Sequence, residues 1–169
     1  MFQLREALES FAVFLASRFI DEATLKELEG HCNGLQEIVQ HMESSGIEFL
    51  DGEILMRFLA EDMAFHTTLI RASRNSRIVK IVHESHVLTR IFSSHRQRHD
   101  LAVVRDAAEG HRAVYNALHS GDAEAAKHLM AWHIRHSLEL SIAAYDEAEA
   151  EKEDDPEHDI RIHEPARDV

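Results

Sequence analysis

Apolar residues recur along this chain at alternating steps of three and four, the spacing that puts them on one face of an α-helix. Leu4, Leu8, Phe11, Leu15 and Phe19 form a first stripe. Leu25, Leu28, Cys32, Leu35, Val39 and Met42 form a second, with Asp21 or Glu22 as a start signal and Ser44-Ser45-Gly46 as a stop. A third opens near Asp51, carries Leu55, Phe58, Leu59, Phe65 and Leu69, and ends around Ser73-Arg74-Asn75. Ile78, Ile81, Val82, Leu88, Ile91 and Phe92 mark a fourth, and the polar, basic stretch from Ser93 to Asp100 reads as its end plus a loop. Val104, Ala107, Val114 and Leu118 mark a fifth. Ser120-Gly121-Asp122 then offers a helix-ending glycine followed by an N-cap aspartate, and a sixth helix runs on through Leu129, Trp132 and Leu140, fading near Ala150. No segment alternates with the two-residue period of a strand. The pattern predicts an all-α fold, an antiparallel bundle of about six to seven helices joined by short loops.

Composition agrees and narrows the class. The 169 residues hold 6 glycines and 2 prolines, and both prolines (Pro156, Pro165) fall near the C-terminus, so a turn-rich β fold is disfavoured. The apolar fraction of 44% is that of an ordinary globular domain. The single cysteine, Cys32, excludes an intrachain disulfide or a Cys-based zinc cluster and suits a small core residue. No apolar run is long enough to span a membrane and no signal-peptide pattern opens the chain, so a cytoplasmic location is expected, with no membrane partner. With 31 acidic against 18 basic residues, a formal charge of −13, the surface repels phosphate backbones and the chain by itself is a poor nucleic-acid binder. Part of that excess is local, because Asp146 to Glu157 is dominated by carboxylates. Residues 1–148 are accordingly expected to form the helical domain and 149–169 an acidic, flexible tail.

The stripes become informative where they are interrupted. Extended by its own step rule, the third passes through Asp62 and His66, the fifth through His111 and the sixth through His133. Four titratable groups therefore point inward. A buried carboxylate without a partner costs several kcal/mol, roughly, and three imidazoles converging on it are satisfied together by one divalent cation. Asp62 and His66, four residues apart, project from one helix face. His111 and His133 lie about eleven residues either side of the Gly121 turn, so an antiparallel hairpin brings them to the same height. A single histidine on an apolar face is more often a hydrogen-bonded core residue, and an Asp–His pair at this spacing can be a surface pair; the four taken together, at matched heights, favour the metal. His136, one turn beyond His133, is the alternative to it. His31, His41, His83, His86, His95, His99, His119 and His128 fall off the stripes and are expected at the surface. The Glu-x-x-His pairs of di-iron bundles, the His-Glu-x-x-His of zinc proteases and a Gly-rich phosphate loop are all absent.

Several short motifs, in order, resemble the FCD domain, the effector-binding C-terminal domain of FadR-type regulators in the GntR family. Leu4-Arg5-Glu6-Ala7-Leu8-Glu9 resembles its Arg-x-x-Leu-Glu opening, and Asp62-Met63-Ala64-Phe65-His66 its Asp-x-x-Phe-His motif. Ala72-Ser73-Arg74-Asn75 resembles the Ala-x-x-Asn that follows. Glu109-Gly110-His111 through Ala117, then Gly121-Asp122 and Ala126, resembles its Glu-x-His…Ala…Gly-Asp…Ala run, and His133 falls where the last family histidine belongs. The likeness spans roughly residues 2–142. Gly110 departs from the bulkier residue usual at that place. The winged helix-turn-helix that precedes the domain in such regulators has no counterpart in this sequence.

The resemblance implies a divalent metal held by Asp62, His66, His111 and His133, with zinc the first choice and nickel, manganese or iron the alternatives. Asp62 and a divalent ion sum to +1, which suits an anion, so a small organic acid is the expected effector. Arg5 and Arg90 would orient its carboxylate, since a guanidinium grips one in two parallel bonds, and Asn75 would add a hydrogen bond. Arg5 also stands four residues before Glu9 and could form only a surface pair with it, and Arg90 could be a solvated flank residue. The expected assembly is a homodimer that reaches DNA only through an N-terminal domain outside this chain, and the expected role is not enzymatic. The rival class is a metal-dependent hydrolase or hydratase, in which the same four ligands would activate water. It would need an inward general base, and Glu61 and Glu109, although next to ligands in sequence, project to other faces. A helical domain that dimerises and binds nothing is the third reading.

Overall fold

In the computed structural model the backbone is described for residues 2–93 and 99–153, and side chains for 3–84 and 99–140. Six helices follow one another: α1 (Phe2–Ala16), α2 (Glu22–Ser45), α3 (Gly52–Ala72), α4 (Ser76–Ser93), α5 (Leu101–His119) and α6 (Ala123–Glu153). The all-α antiparallel bundle read from periodicity is the fold, and no strand occurs among the described residues. Local chemistry sets the boundaries. Asp21 caps α2 by accepting from the Thr24 amide at 2.8 Å, and Asp100 caps α5 by accepting from Val103 at 2.9 Å. α6 reaches Glu153, slightly past the expected fade near Ala150, and the tail beyond it lies outside the described residues.

Helix α3 occupies the middle of the bundle, touching α1, α2, α4 and α5, while α6 lies across α1 and α5. Its face carries Phe58, Phe65, Leu69 and Ile70 into the core. One apolar cluster gathers Val13, Leu28, Cys32, Phe65, Leu69, Val114, Leu118 and Met130 from five helices. A second, around Leu35, Ile38, Met42, Phe58 and Val104, joins α2, α3 and α5 at the other end. There, Phe49 and Asp100 form an isolated bridge, and the Leu50 amide donates to the His99 carbonyl at 2.9 Å.

Helix α1 differs from its sequence reading. Only part of the stripe of large residues turns inward: Leu8 and Leu15 are partly buried against Ala12, Ile70, Ile78 and Val82, whereas Leu4, Phe11 and Phe19 are exposed, and the most buried face is Glu9, Ser10, Ala12, Val13 and Ala16. Wedged against α3, α4 and α6, α1 uses small side chains for its closest approach and leaves Phe11 outside. Phe14 there stacks on Phe11 and lies under the Arg18 and Lys127 cations. On α6 the inward residues are Ala126, Met130, His133 and Ile134, while Trp132, expected on the apolar stripe, is 50% exposed and stacks on His136. Ile81 of α4 is exposed as well.

These placements predict contrasting costs for two leucines. Leu69→Ala should destabilise the fold by about 2–5 kcal/mol, as cavity-forming core truncations do. Leu4→Ala should stay within about 0.5 kcal/mol. Urea unfolding of the two variants checks the orientation assigned to α1.

Candidate metal centre

The α5–α6 hairpin sets the register of the centre. Gly121 adopts φ 79°, a left-handed conformation that a side chain would strain. Its amide donates to the Leu118 carbonyl at 3.0 Å, and the Asp122 amide reaches back to Ala117 at 2.9 Å. The Asp122 carboxylate then starts α6 by accepting from the Ala125 amide at 2.9 Å. This tight reversal brings His111 and His133 side by side, with ring centroids 4.5 Å apart. Facing them across the bundle, α3 presents Asp62 and His66 on successive turns of one face.

Asp62, His66, His111 and His133 converge so that one donor atom of each lies within 4.8 Å of all the others. His111 Nε2 is 3.1 Å from His66 Nε2 and 3.5 Å from Asp62 Oδ1, and His66 Nε2 is 4.0 Å from that same oxygen. Ligands about 2.0–2.1 Å from a tetrahedral zinc stand roughly 3.3 Å from one another; the 3.1 and 3.5 Å separations match that spacing, and the widest, up to 4.8 Å, are looser. The three imidazoles are buried, whereas Asp62 is 32% exposed and marks the side open to solvent. Phe65, with its ring 4.4 Å from that of His111, walls the inner side.

Protonation states make the donors suitable. Burial, then the neighbouring His66, hold His111 well below the ordinary imidazole pKa. Burial, then His111 and His66, do the same to His133. Both rings are neutral near pH 7, the form that ligates a metal. The Glu9 carboxylate lies 2.6 Å from His66 Nδ1, at ion-pair distance though not in hydrogen-bond alignment, a contact that favours a ring proton on Nδ1 and leaves Nε2 facing the cluster. The Ala107 carbonyl, one turn back, favours a proton on His111, although His111 Nδ1 makes no well-formed hydrogen bond among the described residues. His66 and His111 meet through their Nε2 atoms at 3.1 Å, a hydrogen bond whose donor depends on the tautomer; protons on both Nδ1 atoms would instead turn both Nε2 lone pairs toward a cation. The residues therefore fit a divalent ion by donor type, protonation and spacing.

Two residues outside the four complete the arrangement. Gly110 lies so close to His133 that a methyl group at this position would overlap Nδ1 and come within 3.1 Å of Cγ. Its lack of a side chain is what lets the ring fit against α5. Glu9, 1% exposed, was not among the residues singled out from the sequence. The stripe of large residues directed attention to the other face of α1; the signal available was Arg5-x-x-x-Glu9, read above as a surface pair.

The remaining expected site residues are distributed as follows. Arg5 sits beside the centre, donating from Nε to Glu9 Oε1 at 2.7 Å, in a largely buried pair rather than a surface one. Asn75 accepts from the Arg77 and Ile78 amides, both at 3.2 Å, and thereby caps α4. The Arg90 side chain lies outside the described residues. His136 is not in the cluster: its Nε2 is 3.2 Å from Asp106 on the flank of α5 and α6. Of the histidines expected at the surface, His31 is partly buried against Glu61 at 2.8 Å, and His99 is half-buried with its ring against Phe58. Those at 86 and 95 lie outside the described side chains.

Comparison with known proteins places this geometry in context. The family model of the FCD domain matches residues 1–136. Among solved structures, that of E. coli McbR/YncC is similar, with a TM-score of 0.66 at 18% sequence identity, over 85% of this chain and 63% of that one. At that identity the likeness speaks for the fold, and the chain spans under two thirds of the neighbour's length. No curated protein matched.

The neutral, buried imidazoles predict an acid-sensitive fold. The unfolded chain takes up protons on His111 and His133 near pH 6.5, while the native state does not, so metal-free protein should lose stability as pH falls from 7 toward 5. The slope should be on the order of 1 kcal/mol per pH unit for each ring, read from urea unfolding in the presence of a chelator. Gly110→Ala should displace the His133 ring and weaken metal binding while leaving the helical circular-dichroism signal in place.

Proposed function

The chain belongs to the FCD-domain family, and from that membership we propose that it is the effector-sensing unit of a GntR/FadR-type transcription regulator. In this reading residues 1–148 form the sensing unit and 149–169 an acidic tail. Asp62, His66, His111 and His133 hold a divalent metal, zinc first and nickel, manganese or iron next. The convergence of three buried, neutral imidazoles and one carboxylate on a single point carries the proposal.

The bound ion supplies a positive centre at which the carboxylate of a small organic acid can be held. Asp62 stands at the solvent side of that centre, so the acid enters past it. Arg5, beside the buried His66–Glu9 pair, adds positive charge near the site, and Arg90 of α4 and Asn75, which caps that helix, are the further candidates for orienting the acid. A ligand shifts a regulator only by binding one of its states better than another. The acid would bias the arrangement of helices in a homodimer, and the shift would pass to a winged helix-turn-helix outside this chain, which does the DNA binding. Net charge of −13 is consistent with such a division of labour, since this unit alone repels nucleic acid. Among the described residues no helix is long and apolar enough to cross a membrane.

The hydrolase or hydratase alternative needs a general base facing the open positions of the ion. The inward carboxylate present, Glu9, lies at Nδ1 of His66, on the other side of the ring from the converging nitrogens, and is shared with Arg5. Its placement suits holding a ligand rather than activating water.

Protein purified without a polyhistidine tag should carry about one metal ion per chain by elemental analysis. Chelation should lower the thermal midpoint by on the order of 10 °C, the size expected of a tightly bound ion. His111→Ala and His133→Ala should each abolish stoichiometric metal. Small di- and tricarboxylic acids should bind saturably by calorimetry to the metal-loaded form and not to the chelated form. Retention of the metal by both histidine variants would overturn the assignment of the site.

A further inference from the structure

Helix α1 contributes none of the four converging donors, yet it reaches the centre. Glu9 is almost wholly buried, and its two oxygens are divided between neighbours. Oε1 accepts from Arg5 Nε at 2.7 Å, while Oε2 lies 2.6 Å from His66 Nδ1. The other residues of α1 that pack inward are Leu8, Ser10, Ala12, Val13, Leu15 and Ala16. Of the inward contacts, the close approach of Glu9 to His66 is the one that joins α1 to the converging donors.

We propose that Glu9 is a positioning residue of the metal centre and the latch through which that centre controls the docking of α1. The inference rests on the metal reading given above. A carboxylate that accepts from the distal N–H of a metal-binding histidine fixes the ring's tautomer and orientation and strengthens it as a ligand. Here that carboxylate comes from a different helix than the histidine it holds. A cation held at His66 Nε2 would fix that ring in place, and through the 2.6 Å approach of Glu9 Oε2 to Nδ1 it would fix α1 against α3 as well. Arg5 holds the second oxygen, so the carboxylate cannot rotate away. Coupling of this kind is reciprocal: the ion holds α1 against α3, and a displacement of α1 loosens the ion. The N-terminal helix thereby reports the state of a site whose ligands all lie elsewhere.

The test compares wild type, Glu9→Gln and Glu9→Leu in three measurements: zinc affinity by competition with a chromophoric chelator, the visible spectrum of the cobalt(II) form, and hydrogen exchange with and without zinc. In wild type, zinc should slow exchange in residues 6–16 as well as in α5 and α6. Glu9→Leu should bind zinc about 10- to 100-fold more weakly, shift the cobalt bands, and lose the zinc-dependent protection of α1 while keeping that of α5 and α6. Glu9→Gln, whose amide oxygen can still accept from Nδ1, should recover part of the affinity and of the protection. If Glu9→Leu does not fold, Glu9→Gln decides alone, with an affinity several-fold below wild type and displaced cobalt bands as the expected result. Variants that match wild type in affinity, spectrum and α1 exchange would overturn the latch while leaving the metal reading intact. A wild-type chain that takes up neither zinc nor cobalt would overturn both.

Discussion

Three imidazoles and the Glu9 carboxylate occupy the interior of a helical bundle, where leucine would ordinarily stand, and the surrounding structure is organised around the cost of placing them there. Polar groups taken out of water must find partners, or their desolvation counts against folding. The bundle meets this in two ways. Burial and mutual proximity keep His111 and His133 neutral, which avoids burying two positive charges. Among the described residues the fully buried carboxyl side chain, Glu9, is shared between the Arg5 guanidinium and His66. What remains is a group of buried imidazole nitrogens in close contact, of which Nδ1 of His111 and of His133 make no well-formed hydrogen bond among the described residues.

Helix packing follows from the same constraint. A ring as large as imidazole fits between α5 and α6 only because position 110 has no side chain, and the two helices carry their histidines at one height only because the turn at Gly121 is so short. On the far side, α1 lies close to α3 because its most buried apolar residues are alanines and a valine, and this closeness lets Glu9 reach His66. Part of the apolar bulk that would be expected to drive burial of α1 stays outside, in Leu4, Phe11 and Phe19.

The cluster has an open side and a closed one. His66, His111 and His133 are buried, whereas Asp62 is partly exposed, and the largely buried Arg5–Glu9 pair lies behind His66. Helix α1 therefore reaches the cluster through Glu9, although the four converging residues lie on α3, α5 and α6.

Six helices, their caps and the inward set Asp62, His66, His111 and His133 could be read from the chain itself, because period, capping residues and stripe interruptions are local properties that survive in one dimension. Gly121 and Asp122 announced the hairpin for the same reason. Which stripe of α1 is buried was not legible, since large residues at helical spacing score alike whether they face a core or a groove, and only close packing against three neighbours selects the small face. The role of Glu9 was hidden for a related reason: its partner His66 is 57 positions away, and nothing in the spacing of either residue refers to the other. Gly110, noticed only as a departure from a family pattern, acquired its meaning from the ring of His133 pressed against it. Sequence alone therefore determined what each helix is and which donors it carries inward; the tertiary structure decided which faces meet, because that depends on distances between helices that no stretch of the chain encodes by itself.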